Sequence, residues 1–248
     1  MAAPSIIAVI PARWASSRLP AKALADIAGA PMIVRVWRRT VRSAALARVI
    51  VATDDSRIAS AVREAGGEAM MTAASHQSGT DRIAEVAGVV AADIYVNVQG
   101  DLPFIEPADL DALAAPMCDN AGIAMATLAT PITDEAEWRN PNVVKVVCGD
   151  KGRALYFSRS SIPFARDSAG VPAAAMRHIG VYAYRRDFLM RFAALEQGVL
   201  ERIERLEQLR ALEHGFEIRV VKSVAPSLEV DTPDDLLRAR EHAERSGG

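Results

Sequence analysis

The sequence predicts an α/β fold with a mostly parallel central sheet flanked by helices. Short apolar runs rich in β-branched residues, at 6–10, 48–53 and 68–71, have the length of buried strands. Amphipathic segments at 31–43 and 53–65 separate these runs, and strands that alternate with helices form parallel sheets. A chain of 248 residues, half of them apolar, suffices for one large core, so we expect a single domain over residues 1–245.

Composition and charge exclude several classes of function. The formal net charge is −2 and the Lys and Arg residues are spread along the chain, so no electrostatic footprint for nucleic acid is present. Cys118 and Cys148 lie far apart, which disfavours a disulfide framework or a zinc site. The first apolar run is too short for a signal peptide or a membrane span. We therefore expect a cytoplasmic protein that binds neither nucleic acid nor membrane.

A loop rich in cations follows the first predicted strand. Pro11 ends that strand, and Arg13, Arg18 and Lys22 follow it together with hydroxyl groups. Arginine forks and a lysine point charge neutralise phosphate oxygens, so the loop suits a triphosphate. A solvated surface loop is the alternative, and the spacing does not match a Walker motif.

Two aspartates lie where a strand ends or a helix begins. The strand at 94–98 must stop near Gly100 and Pro103, so Asp101 is presented at its carboxyl end, where open α/β sheets bind ligands. Asp101 is therefore a candidate for holding a metal ion, although an aspartate there can also hydrogen-bond its own turn. Asp231 precedes a terminal helix that begins at a proline, and taken alone its simpler role is an N-cap, a role that Thr232 could also fill.

The polar segment at 76–82 precedes a predicted helix over 83–90. Thr80 and Ile83 do not form a capping box, so we expect more polar groups here than helix initiation needs. Backbone N–H groups at such a helix start suit the oxygens of a ligand or the edge of a base. An ordinary polar loop with a helix cap is the alternative.

The alternation of the segment at 177–185 places His178, Tyr182 and Tyr184 on one face of a strand. A lone histidine is more often structural than catalytic. Together with Arg159, at the end of a strand predicted over 154–159, these side chains could instead line a pocket for a polyol acid.

Two further segments carry polar residues with ordinary explanations. Lys145 interrupts the strand predicted at 143–147, either as a protector of a sheet edge or as a ligand group. Residues 206–212 lie in a helix that ends at Gly215, which makes Glu207 and Gln208 ordinary helix residues by default.

Nine short motifs follow one another along nearly the whole chain. They are Ile10-Pro11-Ala12-Arg13 with Ser17-Arg18-Leu19-Pro20 and Lys22, Val51-Ala52-Thr53-Asp54, His76-Gln77-Ser78-Gly79-Thr80-Asp81-Arg82, Asn97-Val98-Gln99-Gly100-Asp101, Asn140-Pro141-Asn142-Val143-Val144-Lys145, Tyr156-Phe157-Ser158-Arg159, Arg177-His178-Ile179-Gly180-Val181-Tyr182, Leu206-Glu207-Gln208-Leu209-Arg210 and Val230-Asp231-Thr232-Pro233. In this order they resemble the nucleotide-sugar-forming cytidylyltransferases, and most closely the 3-deoxy-manno-octulosonate (Kdo) cytidylyltransferase family.

The resemblance implies a Rossmann-like nucleotide-diphospho-sugar transferase fold. Its nucleotide-binding part would span about residues 1–130, and its sugar-acid and dimerisation part about 131–225. It also implies a homodimer in which CTP and Kdo become CMP-Kdo and pyrophosphate for lipopolysaccharide biosynthesis, with Mg²⁺ as the cofactor. In-line attack of the anomeric hydroxyl on the α-phosphorus depends mainly on positioning and charge neutralisation.

Site residues carry over by matching position. Arg13, Arg18 and Lys22 would hold and neutralise the triphosphate, while Asp101 and Asp231 would bind the metal and complete a catalytic set with Arg13 and Lys22. The cytidine pocket would be shaped by Ala12, Thr53, Asp54, Ser78 and Gly79. The sugar acid would face six residues, the first of them at its junction with the nucleotide: Gln99, Arg159, His178, Tyr182, Glu207 and Gln208.

The chain departs from the family pattern at two positions. A Glu usually follows the metal-binding aspartate and a Gly usually precedes the lysine, whereas Leu102 and Ala21 stand here. Leu102 removes a possible outer-shell acceptor near the metal, and Ala21 makes the phosphate loop less permissive. Two alternatives remain open: a cytidylyltransferase for another sugar acid, such as amino-Kdo or sialic acid, and a nucleotide-binding homologue that has lost catalysis.

Overall fold

The chain forms two compact units in a computed structural model. The structure describes residues 3–15, 19–167, 170–225 and 228–245. The first unit comprises Met1–Asp111 and Ser227–Gly248, and the second comprises Ala112–Pro226. The C-terminal segment, which carries Asp231, therefore belongs to the same unit as Asp101.

Strands and helices alternate along most of the described chain. The strands are β1 (Ile6–Ala12), β2 (Asp26–Ile27), β3 (Ala30–Pro31), β4 (Arg48–Thr53), β5 (Glu68–Met71), β6 (Ile94–Asn97), β7 (Met125–Pro131), β8 (Lys145–Cys148), β9 (Ala154–Ser158), β10 (Met176–Arg185) and β11 (Ile218–Lys222). The α-helices are α1 (Met32–Thr40), α2 (Ser56–Glu64), α3 (Gly79–Val89), α4 (Pro107–Asp119), α5 (Glu135–Arg139), α6 (Arg186–Ala194), α7 (Val199–Glu204), α8 (Leu209–Glu213) and α9 (Pro233–Arg245). Over the described ranges, no helix has the length and hydropathy that a membrane span requires.

A parallel sheet with the order β6-β1-β4-β5 forms the centre of the first unit. Ala8 of β1 is fully buried and lies beside Val49 of β4 and Val96 of β6. Because all four strands run the same way, their carboxyl ends meet at one edge of the sheet. That edge is followed directly by the candidate residues Arg13, Asp54, Gln99 and Asp101.

Helix α9 completes the first unit through an apolar stripe. Leu236, Ala239 and Ala243 recur at helical spacing and pack into one buried cluster with Ile27, Met32 and Val230. Removing this apolar surface from water holds α9 and the segment before it against the unit, and that segment carries Asp231.

A mixed sheet forms the second unit. β7 pairs with β11 in parallel and with β10 in antiparallel orientation. β10 also pairs with β8, and β8 pairs with β9, both antiparallel. The register of β10 against β7 shifts between Ile179 and Tyr182, so the pairing is irregular in the strand that carries His178.

The alternating strands and helices predicted from the sequence are present. The predicted strands at 48–53 and 68–71 are β4 and β5 with the same bounds. The parallel sheet of the first unit and its flanking helices confirm the predicted α/β class. The assignment of one domain over 1–245, with a division near residue 130, stays a prediction.

Two helix predictions were wrong. α3 begins at Gly79 rather than at 83, because Ser78 and Asp81 form a capping box that the comparison of Thr80 with Ile83 missed. Ser78 and Asp81 are therefore used in helix initiation. The helix predicted to contain Glu207 and Gln208 is also interrupted, since α7 ends where Arg205 adopts a left-handed conformation with φ 53° and α8 begins only at Leu209.

Lys145 has neither of its predicted roles. Its side chain is fully buried in a strand that pairs on both sides, so it does not protect a sheet edge. The Nζ donates hydrogen bonds to the backbone oxygens of Asn140 (2.9 Å), Val143 (2.6 Å) and Arg159 (2.6 Å), which uses all three of its N–H groups. Burial lowers the pKa of Lys145. The lysine is a structural tie that joins three loop carbonyls of the second unit.

Candidate functional site

A cavity of about 360 Å³ opens in the first unit at the carboxyl edge of its parallel sheet. The end of β1, the turn after β6 and the start of α3 form its walls. Its lining consists of Pro11, Ala12, Arg13, Ala15, Lys22, Ala23, Met32, His76, Gln77, Ser78, Gly79, Arg82, Gln99, Gly100, Asp101 and Asp231. Cations, carboxylates and a helix start therefore face one space, as an anionic ligand with a bound cation would require.

Lys22 joins the two predicted metal ligands. Its Nζ lies 2.7 Å from Asp101 Oδ2 and 2.7 Å from Asp231 Oδ1, and all three side chains are partly buried. Burial opposes the charged ammonium, but the ion pairs with Asp101 and Asp231 outweigh it, so the pKa of Lys22 is raised above its usual value.

The backbone explains why two aspartates that are distant in sequence meet. Val230 donates its N–H to the carbonyl oxygen of Asp101 at 3.0 Å, so the segment before α9 runs beside the turn after β6. Thr232 accepts a hydrogen bond from the N–H of Asp235 and thereby caps α9. The Asp231 side chain points instead to Lys22, which favours a role in the site over the N-cap role.

Asp101 has one oxygen that suits a further ligand. Its Oδ1 is buried and has no hydrogen-bond partner in the described part of the chain. One carboxylate oxygen each of Asp101, Glu229 and Asp231 lie within 4.8 Å of one another. Hard cations such as Mg²⁺ bind oxygen ligands of this type, so the residues fit the predicted metal.

Glu229 was not predicted as a site residue. Its position two residues before Asp231 was visible in the sequence, but its proximity to Asp101 depends on the long-range pairing between Val230 and Asp101. Leu102, in contrast, is buried and contributes no carboxylate.

The start of α3 forms the opposite wall of the cavity. Ser78 Oγ accepts a hydrogen bond from the N–H of Asp81 at 3.1 Å, and Asp81 Oδ2 accepts one from the N–H of Ser78 at 3.0 Å. A Cβ on Gly79 would lie 3.2 Å from Pro11 Cγ, and one on Gly100 would lie 3.1 Å from the Pro11 carbonyl oxygen. The two glycines therefore allow the backbone to approach β1 closely at this wall.

Ala21 stands where the family usually has a glycine, and its backbone adopts a conformation that favours glycine. It adopts φ 53° and ψ 30°, the left-handed region that glycine enters without strain. A non-glycine residue there costs on the order of 1 kcal/mol. The predicted loss of permissiveness in the phosphate loop stays a prediction.

Thr53 and Asp54 support the cavity without lining it. Thr53 is fully buried, and Asp54 accepts hydrogen bonds from the N–H of Trp14 at 3.2 Å and from the guanidinium of Arg82 at 3.2 Å. Arg82 lines the cavity and also donates to the Thr72 hydroxyl. Asp54 therefore holds Trp14, next to Arg13, and the cation Arg82, which had no predicted role.

His76 is a second cavity residue without a predicted role. Its Nε2 lies 2.5 Å from Glu85 Oε2, and Glu85 also accepts a hydrogen bond from the N–H of Ala73 at 2.9 Å. The hydrogen bond from Ala73, followed by that from His76, lowers the pKa of Glu85. Both His76 and Arg82 belong to the motif at 76–82, so the motif itself was the signal that could have revealed them.

Three of the predicted sugar-acid residues form one cluster in the second unit. The His178 and Tyr182 rings lie 5.4 Å apart, and the Tyr182 hydroxyl donates to Gln208 Oε1 at 3.1 Å. His178 Nε2 lies 2.9 Å from the Thr127 hydroxyl. Burial, together with the charge of Arg177, lowers the pKa of His178 to about 3, so the imidazole is neutral at physiological pH.

Gln208 has a buried donor in this cluster. Its Nε2 is buried and has no hydrogen-bond partner within the described ranges. Because an unsatisfied buried amide is costly, such a group is a candidate for contact with a ligand.

The other predicted sugar-acid residues are held by their own neighbours. Arg159 donates through Nε to the carbonyl oxygen of Glu204 at 2.8 Å, and Glu207 Oε1 lies 3.8 Å from the guanidinium of Arg210. Gln99 lies in the first unit, where its Nε2 donates to Asn97 Oδ1 at 3.1 Å. Arg18 lies outside the described residues. The predicted residues thus fall into a group in each unit.

Two sequence comparisons relate the chain to known proteins. Residues 7–220 match the family model described as Cytidylyltransferase. The chain is 54% identical over 245 residues to the 3-deoxy-manno-octulosonate cytidylyltransferase of Syntrophotalea carbinolica, with 96% of this chain and 98% of that protein covered. It is 51% identical over 246 residues to the protein of the same name from Geobacter sulfurreducens, with 96% and 98% covered.

Solved structures agree with the sequence comparisons. A CMP:2-keto-3-deoxy-manno-octonic acid synthetase in complex with CTP has a TM-score of 0.93 and 45% identity, covering 98% of this chain and 99% of that one. A 4-diphosphocytidyl-2C-methyl-D-erythritol synthase from Anaerococcus prevotii has a TM-score of 0.66 over 98% and 99% of the two chains. Its identity is 13%, so it shares the fold alone. Both similarities confirm the predicted nucleotide-transferase fold.

Proposed function

The chain belongs to the 3-deoxy-manno-octulosonate cytidylyltransferase family, and on that premise we propose the roles that its residues take in the reaction. The enzyme transfers CMP from CTP to the anomeric hydroxyl of Kdo, releases pyrophosphate and supplies CMP-Kdo for lipopolysaccharide biosynthesis. The observation that carries the assignment of residues is the cavity in which Lys22 meets Asp101 and Asp231 beside the start of α3.

We assign the triphosphate to the cations of this cavity. Arg13 and Lys22 line it and would neutralise the oxygens that gain charge as pyrophosphate leaves. Backbone N–H groups at the start of α3 would add donors for phosphate or for the base. The attacking hydroxyl forms its bond to the α-phosphorus while the bond from that atom to the bridging oxygen breaks, and no covalent intermediate with the protein is needed.

The cytidine pocket would be shaped by the wall residues Ala12, Ser78 and Gly79. Thr53 and Asp54 would contribute from behind that wall, because Asp54 holds the backbone of Trp14 and the guanidinium of Arg82. A pocket shaped largely by backbone and small side chains distinguishes one base from another through the positions of its hydrogen-bond donors and acceptors.

We propose that Mg²⁺ binds to Asp101 and Asp231. The support is the buried Asp101 Oδ1, which lacks a partner among the described residues, and the nearby carboxylate of Glu229. When bound there, the ion would supply positive charge to the triphosphate and Lewis acidity to the attacking hydroxyl.

His178, Tyr182 and Gln208 would bind the sugar acid through neutral hydrogen bonds. The buried Nε2 of Gln208 offers a donor, and the neutral imidazole of His178 offers a donor or an acceptor. Among the proposed sugar residues, Arg159 carries the positive charge that suits a carboxylate. Gln99, beside Asp101 in sequence, would contact both substrates.

We also propose a homodimer. Support comes from large apolar side chains that are exposed in the second unit, among them Leu155, Phe164, Val199 and Ile203. Phe164 is 84% exposed and Ile203 is 73% exposed, and a second copy of the chain would remove such surface from water. Sedimentation equilibrium of the purified protein tests this proposal. The cytoplasmic location stays a prediction from the sequence.

Pyrophosphate release tests the proposed function directly. Each nucleoside triphosphate is assayed with Kdo and Mg²⁺, and CTP is then assayed with a panel of sugar acids. We expect release with CTP and Kdo only. Release with CTP and a different sugar acid would keep the chemistry and change the acceptor, whereas CTP binding without any release would indicate a nucleotide-binding homologue.

A further inference from the structure

Lys22 sits between the carboxylates that we assign to the metal. Its Nζ is 2.7 Å from one oxygen of Asp101 and 2.7 Å from one oxygen of Asp231. Distances of this size are direct charge-assisted hydrogen bonds, so the ammonium pairs with both aspartates and offsets one of their two negative charges.

A third carboxylate lies close to this ion pair. Glu229 brings a third carboxylate oxygen within 4.8 Å of those of Asp101 and Asp231, and the Asp101 Oδ1 that faces away from Lys22 has no partner within the described ranges. Asp101 and Asp231 are partly buried, so their like charges repel more strongly than in water, whereas Glu229 is exposed to solvent. The group therefore retains an attraction for a cation of higher charge.

We propose that Lys22 occupies the place of a metal ion between Asp101 and Asp231, and that a divalent ion displaces it and so releases its ammonium toward the phosphates. The inference deepens the proposed metal site and rests on it. The lysine and the ion compete for the Asp101 and Asp231 carboxylates, and Glu229 strengthens the attraction for the ion. A single residue then serves as counter-ion before the metal arrives and as phosphate ligand afterwards.

Binding of Mn²⁺ to the protein without nucleotide tests the competition. Lys22→Met removes the competing charge and keeps an unbranched side chain, so we expect Mn²⁺ affinity by calorimetry to rise at least about tenfold. Lys222→Met is the matched control, because Lys222 is exposed and its loss changes the net charge equally. An unchanged or weakened affinity in Lys22→Met would overturn the proposal.

Glu229→Gln tests the third carboxylate. We expect Mn²⁺ affinity to fall by about tenfold, in the range of losses seen when groups around a metal site are removed. Glu241→Gln, at an exposed position on α9, controls for the loss of one negative charge. Equal affinities in the two variants would exclude Glu229 from the group.

A measurement on the unaltered chain avoids any effect of substitution on folding. The sequence contains four lysines, Lys22, Lys145, Lys151 and Lys222, so selective ¹³Cε-lysine labelling yields few NMR signals. Addition of Mg²⁺ alone should shift the Lys22 signal and leave the other three in place. A Lys22 signal that does not respond at saturating Mg²⁺ would overturn the displacement.

Two further variants separate failure of this inference from failure of the metal site. Asp101→Asn and Asp231→Asn should each weaken Mn²⁺ binding. If they do and Lys22→Met fails to tighten binding, the competition is wrong while the site stands. If neither aspartate matters for Mn²⁺ binding, the proposed metal site is wrong and the inference falls with it.

Discussion

The cavity of the first unit contains paired charged side chains, whereas the polar cluster of the second unit (His178, Tyr182 and Gln208) contains neutral ones. In the cavity, the Lys22, Asp101 and Asp231 side chains are 15%, 20% and 27% exposed, and Lys22 forms an ion pair with each aspartate. In the cluster, Tyr182, His178 and Gln208 are between 4% and 9% exposed and carry no charge at neutral pH. The two regions differ in solvent exposure: charged groups are found where water has partial access, and neutral groups are found where burial excludes water.

This difference indicates how each region would handle a ligand. Paired charges near water can exchange partners when a triphosphate and a cation arrive, because the incoming charges replace those that are lost. Buried neutral groups cannot exchange charge at acceptable cost, so they recognise hydroxyl groups by the position of donors and acceptors. The first unit would therefore supply charge neutralisation, and the second would supply specificity.

Asp101→Asn tests the role of the charged cavity, and we expect the largest effect from this substitution. The amide keeps the shape but removes the charge that pairs with Lys22 and the proposed Mg²⁺, so turnover at saturating CTP should fall by about 10²- to 10³-fold. Pyrophosphate release measures it. Asp234→Asn, at an exposed position in the first turn of α9, serves as the control. Turnover within a few-fold of the parent enzyme would remove Asp101 from the site.

The buried, neutral imidazole of His178 predicts that the free energy of unfolding depends on pH. Burial lowers the pKa of His178 to about 3 in the folded protein, whereas in the unfolded chain it is near its ordinary value of 6.5. Between these values the unfolded state binds the extra proton, so the free energy of unfolding falls as the pH decreases. From pH 7 to pH 5 this group alone should remove about 2 kcal/mol.

His178→Gln isolates that contribution, because glutamine can hydrogen-bond Thr127 but does not titrate. Urea unfolding at both pH values should show a smaller loss of stability in the variant than in the parent. Parallel losses in the two proteins would mean that His178 is not held neutral by burial.

More of the charged cavity than of the buried polar cluster could be predicted from the sequence. Asp101 was predicted because a glycine and a proline stop its strand, and such local signals survive folding. Its meeting with Glu229 depends on the hydrogen bond between Val230 and Asp101, which no local pattern encodes. The alternation of β10 did predict that His178 and Tyr182 share a face, but their burial and the low pKa of His178 depend on the packing around them.

The wrong predictions concern features that residue type alone does not reveal. Polar groups found partners that residue types alone do not predict. Lys145 donates to three backbone carbonyls from two loops, and Asp81 completes a capping box with Ser78. Arg205 enters the left-handed region although it is not a glycine, so nothing in its residue type marked the end of α7.

His178→Ala asks whether the neutral cluster serves the sugar acid. Loss of a hydrogen bond made to that substrate should raise its KM about tenfold while the KM for CTP stays within about twofold. Steady-state kinetics with each substrate varied measures both constants. Trp138→Leu, which removes a buried ring from a different cluster of the second unit, controls for loss of stability. Equal increases in both KM values would contradict a role in the sugar pocket.

Ser78→Ala carries the smallest expected effect and tests whether the α3 start is a cap alone or also a nucleotide contact. Loss of the N-cap should cost about 1 kcal/mol of stability, as should Asp134→Ala, which removes the N-cap of α5. If Ser78 also shapes the cytidine pocket, only Ser78→Ala should raise the KM for CTP, by a few-fold. Urea unfolding and steady-state kinetics on both variants separate the two contributions. Equal stability losses without a change in either KM would restrict Ser78 to helix capping and leave the wall of the cavity to backbone groups.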